Sequence, residues 1–251
     1  MPSSVDPGLL PPPPSSLLEG ASLFIDFDGT LVEIMEQPDA VTADDALRDL
    51  LGALCTVFSG RVAIVSGRSL GQLDEMLGPV AQTLALSGSH GIEHRWNGVT
   101  ANPIRPATLD AATEALRDFI ARHPGALIEP KSYGIALHYR QAPDIGPAAQ
   151  AVAARLAEEH GLALEHGKMV VELRVAGGDK GVAVRRLMAR PPMAGTRPLF
   201  IGDDLTDEGG FEAAQALGGA GILVGEYRTT AAEYGIPDVA AVRDWLASAT
   251  R

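Results

Sequence analysis

The run Leu23-Phe24-Ile25-Asp26-Phe27-Asp28-Gly29-Thr30 constrains this chain more than any other stretch. Its apolar start reads as the end of a buried strand. Two carboxylates then stand two residues apart before Gly29 turns the chain. A buried carboxylate without a partner is costly, so paired acids at this point predict a cation beside them. The spacing suits Mg2+, which takes carboxylate and backbone oxygens in octahedral geometry. It also suits divided labour, with Asp26 attacking as a nucleophile and Asp28 moving protons. Taken alone, the run also fits a solvated Asp-Gly turn with two incidental acids.

Other strands repeat this design. Val62–Val65 is a continuous apolar run ending in Ser66-Gly67-Arg68, and Leu84–Leu86 ends in Ser87-Gly88-Ser89-His90-Gly91. Leu199–Ile201 ends in Gly202-Asp203-Asp204-Leu205-Thr206-Asp207-Glu208. Continuous apolar strands belong to a parallel sheet covered on both faces. Helical patterns lie between them. Thr42, followed by Asp44 and Asp45, is expected to cap a helix that buries Leu47, Leu50, Leu51 and Leu54 after a loop closed at Pro38. Ser69 with Gln72 forms a capping box for a second helix, ended by Gly78. This alternation predicts a doubly wound α/β fold, in which ligands bind outside the carboxyl ends of the strands.

Asp26 and Ser66 should therefore meet at one rim, with His90 and Glu93 close to substrate there. The acids after Ile201 would repel one another without a cation, a second metal signal. Lys180, in Gly177-Gly178-Asp179-Lys180-Gly181, opens a helix where a cation gains nothing from the dipole. It suits a phosphate and clustered carboxylates instead. A final strand at Ile222–Val224 and a helix over 240–249 close the chain.

From about Pro103 the rhythm changes. A helix capped by Thr108, two strands, a second helix from Asp144 and two more strands describe a small α+β unit inserted into the larger fold. Its strands are unusually polar: Glu129 and Lys131 share a face, His138 and Arg140 oppose the row Ile135, Leu137 and Tyr139, and Lys168, Glu172 and Arg174 mark the last strand. A half-exposed sheet turns a polar face to water in any case. Mixed acids, bases and an imidazole also suit a polyhydroxyl ligand, whose hydroxyls donate and accept.

Composition excludes several classes. A net charge of −12 over 251 residues argues against nucleic acid and an anionic membrane surface. The single cysteine, Cys55, excludes an internal disulfide framework or a multi-thiolate zinc site and reads as a small buried hydrophobe. No apolar run approaches the roughly 20 residues needed to span a bilayer. Residues 1–19 read as a proline-rich tail without a signal-peptide pattern, so a cytoplasmic protein is expected.

Asp26-x-Asp28-x-Thr30, Ser66, Lys180 and Asp203 with Asp204 or Asp207, in that order, resemble the four motifs of the haloacid dehalogenase superfamily. The resemblance implies a Rossmann-like core of parallel sheet over residues 20–104 and 176–251, with an inserted α+β cap over 105–175. It implies an aspartyl-phosphate on Asp26 and acid–base work by Asp28. Mg2+ would be held by Asp26, the Asp28 backbone carbonyl and Asp203, supported by Asp204 and Asp207, while Lys180 and Ser66 hold phosphoryl oxygens.

A narrower likeness runs through Ser66-Gly67-Arg68, Gly88–Glu93, Glu129-Pro130-Lys131, Ala136–Arg140, Gly167–Glu172 and Gly202–Glu208. These resemble the trehalose-6-phosphate phosphatase family. The likeness implies hydrolysis of trehalose 6-phosphate, with Thr30, Arg68, His90, Glu93, Glu129, Lys131, His138, Arg140, Lys168 and Glu172 among the substrate contacts and Lys168 and Glu172 gripping sugar hydroxyls. It implies a functional link to a separate trehalose-6-phosphate synthase. Val175-Ala176, where many relatives carry proline, departs from the pattern near the return to the core. A related capped phosphatase acting on a glucosyl- or mannosyl-phosphoglycerate or a hexose phosphate is the alternative, because only the cap separates them. A phosphomutase or a silent sugar-phosphate sensor stands further off.

Overall fold

Ala21–Ile25 carries no charge that needs water and forms β1, buried along its whole length. The computed structural model describes residues 10–34, 42–167 and 169–250; the loop at Pro38 and the sugar contact expected of Lys168 lie outside these. After β1 come α1 (Asp45–Val57), β2 (Val62–Val65), α2 (Leu70–Leu77) and β3 (Ala85–Gly88). A hairpin of β4 (Glu93–Trp96) and β5 (Val99–Ala101) follows. Next are α3 (Ala107–Ala121), β6 (Leu127–Lys131), β7 (Gly134–His138), α4 (Gly146–His160), β8 (Leu162–Gly167) and β9 (Val170–Val175). The chain ends with α5 (Lys180–Met188), β10 (Arg197–Gly202), α6 (Glu208–Ala216), β11 (Ala220–Val224), β12 (Tyr234–Ile236) and α7 (Val239–Ala247).

Two compact units result, one of residues up to Ala101 with those from Asp179 onward, the other of Asn102–Gly178. In the larger unit the described strands run β12-β11-β10-β1-β2-β3-β4-β5, parallel from β12 to β3 and antiparallel through the last two. Side chains alternate across this sheet, so Leu23 and Ile25 enter one core with α1, α2 and α7 while Phe24 enters another with α5 and α6. Both faces are covered, which is why the strands read as unbroken apolar runs. From β1 the chain moves outward through β2 and β3, then returns to β1's other side as β10. Strand order therefore reverses between β1 and β10, and a crevice opens there at their carboxyl ends.

The smaller unit's sheet runs β6-β7-β9-β8, antiparallel throughout. One face, with Ile135, Leu137, Val171 and Leu173, packs on α3 and α4. The other carries Glu129, Lys131, His138, Glu172 and Arg174.

Three local expectations need correction. Asp44, not Thr42, caps α1, its carboxylate accepting from the Leu47 N–H at 2.7 Å; a charged acceptor makes the stronger cap bond. Pro106 rather than Thr108 precedes α3, without a side-chain cap, so Thr108 lies in the first turn. The β4–β5 hairpin was not anticipated, although Asn97-Gly98 at its tip, both residues at positive φ, is the usual signature of such a turn. The Ser69–Gln72 capping box and the stop at Gly78 are as expected.

Candidate active site

Parallel pairing of Ile25 with Ile201 sets the ends of β1 and β10 level, and the Asp26 N–H donates to the Ile201 carbonyl at 2.9 Å. The acids that follow each strand are thereby brought to one point of the crevice. Lys180, at the first turn of α5 and 3% exposed, reaches it from a third element. Its Nζ lies 2.8 Å from Asp26 Oδ1 and 2.6 Å from Asp207 Oδ1. The other Asp207 oxygen accepts the N–H groups of Asp203 and Asp204, each at 3.0 Å. Thr30 donates its hydroxyl to Asp203 Oδ1 at 3.2 Å.

Carboxylate oxygens of Asp26, Asp203 and Asp207 all lie within 4.8 Å of one another. Three acids thus face one ammonium in a buried setting. Burial raises the Asp26 pKa well above the usual carboxylate range, although Lys180 opposes it. Asp203 is pushed up to about 6, first by burial and then by Asp207 and Asp204. Asp207 is raised by burial against the pull of Lys180. For Lys180 burial acts downward, but Asp26 and Asp207 outweigh it and hold the ammonium charged. Excess negative charge that protein groups leave uncompensated is what a hard divalent cation would neutralise.

Two glycines make this closeness possible. Gly29 has φ +80°, and a Cβ there would come within 2.2 Å of Asp203 Oδ2. A Cβ at Gly202 would meet the Asp207 carboxylate at 2.3 Å.

Not every expected residue joins the cluster. Asp204 is exposed and caps the turn Leu205–Asp207, accepting from the Thr206 N–H, while Asp207 is the one of the two that joins Asp26 and Asp203. Glu208 turns away to Arg228, Thr230 and the Ala231 N–H. Asp28 is gripped by the Arg68 fork, with Nε to Oδ2 at 2.7 Å and a terminal nitrogen to Oδ1 at 2.6 Å. Buried Ser66, at the end of β2, accepts from the Arg68 N–H at 3.1 Å and fixes the start of that loop. His90, at φ 53°, donates its N–H to the Ser66 carbonyl, and its ring lies against Gly67.

Glu93 departs from its expected place. It is buried, and one oxygen accepts from Ser89 Oγ at 2.5 Å and the Leu70 N–H at 3.3 Å, so its carboxylate ties two loops together.

In the smaller unit the polar face is made of matched pairs. Lys131 Nζ bonds the Glu172 carboxylate across the sheet, and His138 Nε2 lies 2.9 Å from Glu129 Oε2. Arg174 reaches Glu165 at 3.2 Å and the Gly178 carbonyl at 2.8 Å. Arg140 sits exposed in the turn after β7 and makes no ion pair among the described residues.

A doubly covered parallel sheet with an inserted α+β unit is the fold of a solved phosphatase of the haloacid dehalogenase superfamily, which superposes with a TM-score of 0.60 at 16% identity. The chain belongs to the trehalose-phosphatase family, whose model matches residues 24–235. It is 40% identical over 222 residues to the trehalose-6-phosphate phosphatase of Escherichia coli K12, covering 86% of this chain and 82% of that protein. It is 36% identical over 238 residues to a probable trehalose-phosphate phosphatase of Sinorhizobium fredii, covering 93% and 89%. A crystal structure of a trehalose-6-phosphate phosphatase related protein superposes with a TM-score of 0.77 at 29% identity, covering 91% of this chain and 96% of that one. No helix among the described residues is long and apolar enough to cross a membrane.

Proposed function

We propose that this chain hydrolyses trehalose 6-phosphate to trehalose and phosphate. The observation that carries the reading is the three-to-one ratio of carboxylates to ammonium around Lys180, in a chain whose relatives bear this activity in their names. Asp26, Asp203 and Asp207 fit a divalent cation by charge and donor type, and Mg2+ is the ion we assign. When bound, it supplies charge neutralisation for the phosphoryl group and the attacking carboxylate.

The chain's own groups do the rest. An Asp26 oxygen attacks phosphorus in line, the bond from phosphorus to the sugar oxygen breaks, and an acyl phosphate forms on Asp26. Asp28 gives its proton to the departing sugar oxygen. It then takes a proton from the water whose oxygen attacks phosphorus, releasing phosphate and restoring Asp26. Lys180 and Ser66 hold the phosphoryl oxygens, where fixed donors give most of the stabilisation. With both oxygens held by Arg68, Asp28 has neither free to turn toward the sugar oxygen. On this reading the incoming phosphate draws the guanidinium to itself and releases Asp28.

The polar face of the smaller unit reads the glucose hydroxyls, chiefly through Glu129, Lys131, His138 and Glu172. A cytoplasmic site of action, and a separate synthase that supplies the substrate, complete the proposal. The test is phosphate release from a panel of sugar phosphates with Mg2+ and after chelation. Trehalose 6-phosphate should exceed glucose 6-phosphate in kcat/KM by about a hundredfold, which corresponds to about 2.7 kcal/mol of selective binding. Comparable values would overturn the substrate, and full activity in EDTA would overturn the metal.

A further inference from the structure

A cavity of about 370 Å³ lies in the larger unit, lined by His94 and Trp96 of β4, Asn97, Val99 and Ala101 of the hairpin, and Arg186, Leu187 and Arg190. None of these residues belongs to the acid rim, and the volume is in the range of small-molecule sites. Two residues of its wall carry deeply buried polar atoms. His94 is only 4% exposed, and neither ring nitrogen has a hydrogen-bond partner among the described residues. The buried indole nitrogen of Trp96 has none either. Buried polar atoms are nearly always satisfied, so these three set the wall of the cavity apart from the ordinary core.

His94 is held neutral, with its pKa lowered to about 4 by burial and then by Arg186, while the nearby Gly91 carbonyl pulls weakly the other way. At neutral pH its ring therefore offers one donor and one acceptor. The outer wall supplies the charge. Arg186 on α5 and Arg190 just past its end are one turn apart, both exposed, and neither forms an ion pair with a described residue. In a chain of net charge −12, two neighbouring guanidinium groups without carboxylates are a local reversal of sign.

We propose that this cavity binds a small organic oxyanion, a carboxylate or phosphate carried on a flat apolar body. The body lies against Trp96, Val99 and Leu187. The anionic oxygens take the forks of Arg186 and Arg190, which match such groups bidentately. The site is separate from the acid rim and does not depend on which sugar phosphate that rim hydrolyses.

Trp96 makes the proposal measurable by intrinsic fluorescence. The full chain is titrated with benzoate and with phenylphosphonate, which carry the two kinds of oxyanion, and with benzyl alcohol as the neutral counterpart. A saturable change in emission is expected with at least one anion, lost in W96F. The exposed double variant R186Q/R190Q, which should fold and hydrolyse normally, is expected to weaken apparent affinity about tenfold or more, in line with loss of charge-assisted bonds. A response to benzoate alone identifies carboxylates as the class, and one to phenylphosphonate alone identifies phosphates. No saturable response to either anion, equal binding of benzyl alcohol, or unchanged affinity in the arginine double variant would each overturn the proposal.

Discussion

The two units handle charge in opposite ways. In the larger, buried Asp26 and Asp207 and half-buried Asp203 gather around one lysine, and Asp207 is fully excluded from water. In the smaller, groups on the polar sheet face meet partners on neighbouring strands, Lys131 with Glu172 and the His138 ring with Glu129, and the pairs stay in contact with solvent. An unbalanced buried cluster does work on whatever charge enters it, because low dielectric magnifies each interaction. Balanced pairs at a surface contribute little to stability and remain available to exchange partners with hydroxyls. On the proposed function, chemistry and recognition are separated by how far each region departs from neutrality.

The contrast predicts a graded set of losses. Asp26→Asn should lower kcat by at least about a thousandfold, roughly 4 kcal/mol, with substrate binding largely kept; near-normal turnover would break the assignment of chemistry to the larger unit. Glu172→Gln should leave kcat within a few-fold and raise KM about ten- to a hundredfold, the cost of a hydrogen bond to a charged group. If kcat fell instead, the smaller unit would be doing more than recognition.

A third case sharpens the comparison, because His94 is buried with no carboxylate paired to it among the described residues. Its folded pKa of about 4 lies below the ordinary 6.5, so the unfolded chain binds more protons between those values. Stability should fall by roughly 1–2 kcal/mol from pH 7 to pH 5 through this group, measured by urea denaturation. His94→Gln should flatten that slope. The smallest effect is expected at Asp204, an exposed cap outside the acid cluster. Asp204→Ala should cost under about 1 kcal/mol of stability and leave kcat within about threefold, whereas a loss on the scale of Asp26→Asn would put this residue back among the metal ligands.

Much of the larger unit could be read directly from the chain. Continuous apolar runs ending in Asp26, Ser66 and Gly202 announced both the sheet and its functional edge, because a buried strand has no other use for acids at its end. What eluded sequence reading was which acid of a tight group turns inward. Asp203, Asp204, Asp207 and Glu208 look alike in sequence, and a single turn of 3₁₀ helix decides that Asp207 points to Lys180 while Asp204 caps. Glu93 misled for a similar reason: a carboxylate beside a glycine-rich loop looks like a ligand contact, yet here it satisfies backbone and hydroxyl donors of the loops themselves. The order of elements in the smaller unit followed from periodicity. Its cross-strand pairs did not, since strand register decides that Glu172 and Lys131 lie on either side of β7.

The pairing of β1 with β10 has a consequence for biosynthesis. Asp26 leaves the ribosome more than 170 residues before its neighbour β10, and the whole smaller unit is synthesised in between. Until then one edge of β1 lacks its parallel partner, and such an open edge invites misassociation. Assembly of the acid cluster therefore waits on that strand: Asp26 cannot meet Asp203, Asp207 and Lys180 until synthesis has passed through the smaller unit and on to β10.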